Sequence, residues 1–566
     1  MSIRTLALVS ALAISPAFAQ MDMSGGGMPP MKMPPMPAVY MGQADKPGAP
    51  VFTGLGDLHH AISTANPLTQ KFFDQGLDLL IGFNHAEAIR SFRGGARLDP
   101  DCAMCWWGVA FALGPNINLP MPDDAVPPAW AALKMAQSLE AHASPEERQW
   151  IDALAARYGE KPAADRSKLD EAFAQAMGKL WRDNPDDLEA GVFYAEAMMD
   201  TQPWDYWQAD YKTPKGHGAE IISTLEGIIA RAPNHPGALH LYIHAVEAST
   251  TPERAEAAAD RLEPLMPEAG HVVHMPSHIY YRVGRYADAA HVNSLAAKTD
   301  EDYIAACKSQ GYYPIGYYGH NIHFLWTSSE MQGSYNAAID AAHRLVKAVD
   351  AFNAAKTISS AELYGFTPAV TQLRFGKWDA VLAEPRPPES LKLDTAVSLY
   401  ARGFAYANKG DMAQARRDRA LLADIAAHAD FSRFDLAQVP AKAMAQLGLM
   451  LLDGEIARKS GKLDEAIADF TKARAMELAL SYTEPPYWHQ PVSHILGAAL
   501  MQERRYADAE AVYRDSLTRY RLDGWALFGL AQALAAQGKK DEADSTRKQF
   551  DSVWQLADVT LTSSRF

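Results

Sequence analysis

Histidine is the residue type whose placement stands out in this chain. There are 18 His among 566 residues, and seven of them fall in three short stretches: His240 and His244; His271, His274 and His278; His320 and His323. Spacings of three and four put such residues on one face of a helix. An imidazole pair four apart is a common way to hold a transition metal, copper or zinc. Carboxylates accompany the cluster: Glu247 follows His244 by one turn, and Glu189 and Glu196 lie upstream. They are suited to ligate directly or to orient the imidazoles. Without a metal, the same rings would serve as donors or general bases toward an anion or an organic substrate. His489 and His494 lie far downstream and are not counted as ligands.

Sulfur is distributed unevenly. Residues 21–41 carry seven methionines among Gly and Pro. Such a segment cannot build a core and reads as a disordered tail. Its thioethers suit Cu(I), the alternative being a compositionally biased linker. Cys102 and Cys105 form a C-x-x-C, and Cys307 is the third cysteine. In an oxidising compartment the pair is expected to form a local disulfide bracing the helix that bears Trp106 and Trp107. A redox pair or a soft-metal thiolate site is the lesser reading, because no thioredoxin-like βαβ pattern surrounds it.

The N-terminus points to that compartment. Met1 to Arg4 is positively charged, Thr5 to Ile14 is apolar, and Ala17-Phe18-Ala19 is an A-x-A cleavage site. Residues 1–19 are therefore expected to be a signal peptide, and the protein to be periplasmic or secreted. No stretch approaches about 20 uninterrupted apolar residues, so no transmembrane segment is expected. A formal charge of -15 argues against nucleic acid as a partner.

The elements that position the histidines are helices in a repeating pattern. Phe72, Gly76, Leu79, Ala88, Phe92 and Pro100 fit the tetratricopeptide-repeat (TPR) signature, and Trp106, Val109, Ala110 and Leu113 open the next copy, offset by about 34 residues. Further copies occur at 461–473, 504–517 and 524–543. The chain thus resembles the TPR superfamily over nearly its whole mature length. The resemblance implies an all-α right-handed solenoid of about 11–12 repeats over 67–566, behind a disordered tail over 20–66. Small and aromatic signature residues such as Gly76, Ala88, Phe92, Trp106, Ala466 and Phe470 should form the core. Three insertions, at 115–126, 201–216 and 300–317, are expected as loops; their aromatics (Trp204, Tyr206, Trp207, Tyr312, Tyr313, Tyr317, Tyr318) would shape a pocket.

The resemblance also implies that the second, fifth and ninth residues of each repeat's first helix face the concave groove. In three successive first helices of the central repeats (about 187–345), these slots read Gly237, His240, His244; His271, His274, His278; His320, His323, Thr327. Seven of nine are His, where composition alone would place fewer than one. Adjacent helix axes lie about 8–10 Å apart, so the rings can meet. His240, His244, His274 and His278 are expected to converge on one metal, with His271, His320 and His323 completing the shell or building a second site. Glu189 and Glu196 fall on the groove face of the preceding repeat, and Trp107 on that of an earlier one. The string HVVHMPSHIYYRVGRY, with HLYIHAVEAS and CAMCWWG upstream, is similar to a group of exported bacterial TPR proteins. That likeness implies fold and compartment, with no activity attached. Three functions remain open: a metal-binding protein handling copper, a metal-dependent or His-based enzyme acting in the groove, and a scaffold gripping a partner peptide.

Overall fold

The computed structural model describes residues 33–309, 311–435 and 437–566. The expected signal peptide and most of the Met-rich run lie outside the described residues. Those described form no β-strand, only two isolated bridges inside loops. The chain is an all-α array of helical hairpins, as the TPR resemblance implies. The first hairpin shows why these residues fold so. Asn66 caps the Pro67–Ile81 helix by accepting from the backbone N–H of Leu68 at 3.0 Å, and Pro67 sits where no intrahelical N–H is needed. Phe83 turns the chain with a φ of +51° before His85–Leu98 returns. Such a φ is uncommon for a bulky residue.

Packing follows from glycines that receive aromatic rings. The Phe92 ring is fully buried, lying between Gly76 on its own hairpin and Gly108 on the next; a Cβ at either position would sit 2.3 or 2.5 Å from the ring. Gly454 receives Phe470 in the same way, and Gly497 with Gly529 receives Tyr513. Ala88, Ala466 and Phe470 are fully buried as expected. Trp106 and Trp107 are exchanged relative to expectation. Trp107 is 1% exposed, packed edge-on against Trp150 at 5.2 Å and Phe193 at 6.0 Å, whereas Trp106 is only partly buried. The Ala103–Ala112 helix turns position 107 inward, so Trp107 is core and meets no groove ligand.

The array closes on itself. Tyr286 Oη donates to the Arg521 carbonyl at 3.0 Å, Trp525 Nε1 donates to the Glu330 carbonyl at 3.1 Å, and Ser334 Oγ donates to the Leu556 carbonyl at 3.0 Å. The last repeats therefore pack on the middle ones. Closure buries the concave face, which an open superhelix would leave to solvent.

Residues 33–66 are not a free tail. Met36, Tyr40, Ala44 and Leu55 are buried in the main core. Lys46 Nζ donates to the Cys307 carbonyl at 2.8 Å, Phe52 N–H to Gln75 Oε1 at 2.8 Å, and Glu268 N–H to the Gly54 carbonyl at 3.0 Å. With almost no secondary structure of its own, this strap satisfies its backbone against helix side chains, which composition does not reveal. The third insertion also differs from a loop. The Tyr286–Cys307 helix runs through its first half, and a short helix, Tyr312–Ile315, occupies its second. No helix among the described residues is long and apolar enough to cross a membrane.

Candidate metal centre

Four helical segments carry the histidines inward. Pro236–Val246 presents His240 and His244 one turn apart. The next first helix is divided by Pro276 into Gly270–His274 and Pro276–Val283, which carry His271, His274 and His278. Tyr317–Gln332 brings His320. The rings gather around two foci, and the expected set of His240, His244, His274 and His278 is divided between them. His240, His244 and His271 form one triad, and His274, His278 and His320 the other; within each, one nitrogen per ring lies within 4.8 Å of the others. The triads adjoin, with His244 and His278 ring centroids 5.4 Å apart and His271 and His274 5.7 Å apart. His320 is partly buried and the other five are buried. His323 joins neither triad. It stacks on Trp326 at 5.1 Å, and burial pushes its imidazole down to about 3.

Neighbouring residues dictate which nitrogen of each ring carries the proton. Glu247 is buried between the triads, with Oε1 3.0 Å from His244 Nδ1 and Oε2 2.6 Å from His278 Nδ1. Burial would raise its carboxyl, but the two imidazoles outweigh this and hold it well below the usual carboxylate range. An ionised carboxylate only accepts, so both Nδ1 atoms donate. Asn293 does the same for His274. Its amide nitrogen donates to the Ala289 carbonyl at 2.7 Å, leaving Oδ1 to accept from His274 Nδ1 at 2.7 Å. With both rings neutral, the Nε2 atoms of His274 and His278 turn lone pairs toward each other, and they face at 2.8 Å. Two lone pairs at that distance need a proton or a metal ion between them. In the first triad, His240 and His271 bring their Nε2 atoms to 3.2 Å, while His244 Nε2 and His271 Nδ1 are buried without partners. Burial, reinforced by the neighbouring rings, holds His240, His271, His274 and His320 well below the ordinary imidazole value. These rings favour the neutral form that binds metal.

Two aromatic residues with positive φ brace the first triad. Phe83 places its ring 4.8 Å from His240 and 5.0 Å from His271, and Trp204, at φ +65°, stands edge-on to His244 at 5.0 Å. Such backbone strain concentrates at functional sites. Above the triads lies a cavity of about 1270 Å³, onto which His244, His271, His278 and His320 open. All three expected insertions line it, through Asn116 and Met121, through Trp204, Trp207 and Tyr211, and through Tyr312 and Tyr317.

A further wall, outside the expected insertions, comes from residues 481–489. Tyr482 donates to Glu247 Oε2 at 3.3 Å, burial pushes the Glu484 carboxyl up to about 7, and His489 lines the chamber with both ring nitrogens unpartnered. The run EPPYWHQP is dense in Pro and aromatics, but only closure of the array brings this segment to Glu247, 235 residues before Tyr482. Asn293 was missed because it sits on a second helix, outside the histidine pattern.

The remaining expected site residues lie elsewhere. Glu196 is buried away from the triads, where burial, countered by Arg157, pushes its carboxyl up to about 7. Glu189 meets His60 and His235 at the N-terminal ends of two helices. Cys102 and Cys105 are joined by a disulfide at the start of the Trp107 helix, and Cys307 is a buried free thiol that burial pushes up to about 12.

No protein-family model matches the chain, and no curated protein matches it in sequence. Among solved structures, the human IFIT1 dimer with m7Gppp-AAAA is similar at 13% identity, over 88% of this chain and 91% of that one, with a TM-score of 0.32. Yeast Tom70 is similar at 12% identity, over 86% and 92%, with a TM-score of 0.29. Likenesses this distant do not bear on what this chain binds.

Proposed function

We propose that this protein is an exported metal-binding protein that holds two transition-metal ions, one in each histidine triad, with copper as the preferred metal. The carrying observation is the pair of Nε2 lone pairs facing at 2.8 Å between His274 and His278, with both Nδ1 atoms committed elsewhere. A shared proton would satisfy two rings and leave His320 idle, whereas a metal ion uses all three. Glu247 and Asn293 act as the partners that fix ligand tautomer and ring orientation in metal sites. Neutral imidazoles suit copper and zinc alike; the methionines over 21–41 tilt the choice to copper, since thioethers favour Cu(I). The signal-like N-terminus supports export.

The chamber favours a second reading, in which the centre is catalytic. A site that only stores or passes an ion has no use for about 1270 Å³ of aromatic-walled space above it. An organic substrate bound there would lie against the open sides of His244, His278 and His320. A scaffold for an extended peptide is less well supported, because five of the six triad histidines are buried.

The test is a copper titration of the untagged mature chain against a competing chelator. Two tight equivalents are expected in the triads, beside any Cu(I) that the methionines over 21–41 hold. His244→Ala and His320→Ala should each remove one and leave helicity unchanged. Absence of tight copper or zinc binding in the unsubstituted protein would overturn the proposal.

A further inference from the structure

A second group of potential ligands lies outside the chamber, where the N-terminal strap crosses two helix starts. His60 Nδ1 stands 4.0 Å from Asp187 Oδ1 and 3.9 Å from Glu189 Oε2. These separations exceed a hydrogen bond, which spans about 2.7–3.2 Å. They are close to the spacing of atoms around one ion: bonds of about 2.0–2.1 Å in tetrahedral zinc sites put ligand atoms about 3.4 Å apart. The three groups come from two places: Asp187 caps the Leu188–Asp200 helix and Glu189 lies in its first turn, while His60 is brought to them by the strap from more than 120 residues away.

The surroundings orient this group. Trp150 Nε1 donates to Asp187 Oδ2 at 3.0 Å and Ala190 N–H to Oδ1 at 3.1 Å, which fixes the Asp187 carboxylate. His235 is 7% exposed, and its Nε2 has no partner while pointing at Glu189 Oε1 from 3.6 Å. Its Nδ1 lies 3.5 Å from the Ala238 N–H that it caps, a long contact that a metal-bound ring would release at little cost. His60, Asp187 and Glu189 are each about one-fifth exposed, which leaves an entry path and room for a water ligand.

We propose that His60, Asp187 and Glu189, with His235 as a fourth ligand or as the donor that steers Glu189, form a separate site for a divalent ion of zinc type that fastens the strap to the repeats. Two imidazoles and two carboxylates neutralise a +2 ion, and this mixed nitrogen and oxygen set is harder than the all-imidazole triads. The proposal does not rest on metal binding in the triads.

The test is equilibrium dialysis of the full mature chain against zinc at neutral pH, comparing the unsubstituted protein with His60→Ala and Glu189→Gln. Each variant is expected to bind one equivalent fewer, with any equivalents held by the triads unchanged. Cobalt substitution gives a second readout: the visible band of four-coordinate Co2+ should lose one site's intensity in Glu189→Gln, a near-isosteric change that spares folding. Equal zinc stoichiometry in all three proteins would overturn the proposal and identify the group as a histidine–carboxylate ion pair. Loss of stability in His60→Ala without loss of zinc would do the same.

Discussion

Glu247→Gln isolates the link between the two triads. The native carboxylate accepts from one histidine of each triad, His244 at 3.0 Å and His278 at 2.6 Å. A glutamine has one acceptor oxygen and one donor nitrogen, so it can keep only one of these imidazoles in its ligating tautomer. The shorter contact should retain the oxygen, leaving His244 facing an N–H. His244 would then accept at Nδ1, place its proton on Nε2 and withdraw from the first triad. Loss of such an orienting partner typically lowers metal affinity about 10–100-fold, or about 1.4–2.7 kcal/mol. The first site should therefore weaken by that factor and the second by less. Competition against a chelator of known copper affinity reads both constants, and far-UV circular dichroism checks that the helices are intact. Two unchanged constants in a folded variant would refute the tautomer argument.

Three further outcomes follow from the same structure. The metal-free protein should be acid-labile: buried histidines titrate lower folded than unfolded, so stability is present above about pH 6.5 and declines as pH falls toward the folded values. His85, lowered to about 4 by burial, alone contributes about 3 kcal/mol to this loss, visible as a fall in Tm between pH 7 and 4; a flat profile would contradict the burial. Phe92→Ala empties the space between Gly76 and Gly108 and should cost about 3–5 kcal/mol in urea unfolding. Deleting residues 20–32 should lower Cu(I) stoichiometry, and a deletion through residue 41 should lower Tm as well, because Met36 and Tyr40 are core. Unchanged stoichiometry would make the methionine run a linker.

The helical array was legible because it rests on local rules. Glycines 16 residues from the aromatic rings they receive (Gly76 and Phe92, Gly497 and Tyr513) mark hairpins wherever they occur. The histidines were legible because spacings of three and four survive in any helix. What local pattern cannot carry is closure of the array. It walled the groove into a chamber and brought Tyr482 and Glu484 over the centre. A shift of one position in the facing of the Ala103–Ala112 helix exchanged Trp106 and Trp107. Glu189 was assigned to the wrong histidines, since His60 lies in a strap whose composition reads as disordered.

The central claim is two ions in two triads, and anomalous diffraction at the copper edge from crystals of the copper-loaded chain tests it most directly. The account predicts two peaks, each about 2.0–2.1 Å from a ring nitrogen of every member of its triad. One triad would be His240, His244 and His271, the other His274, His278 and His320. Copper found only elsewhere, with the His274 and His278 Nε2 atoms still face to face, would contradict it.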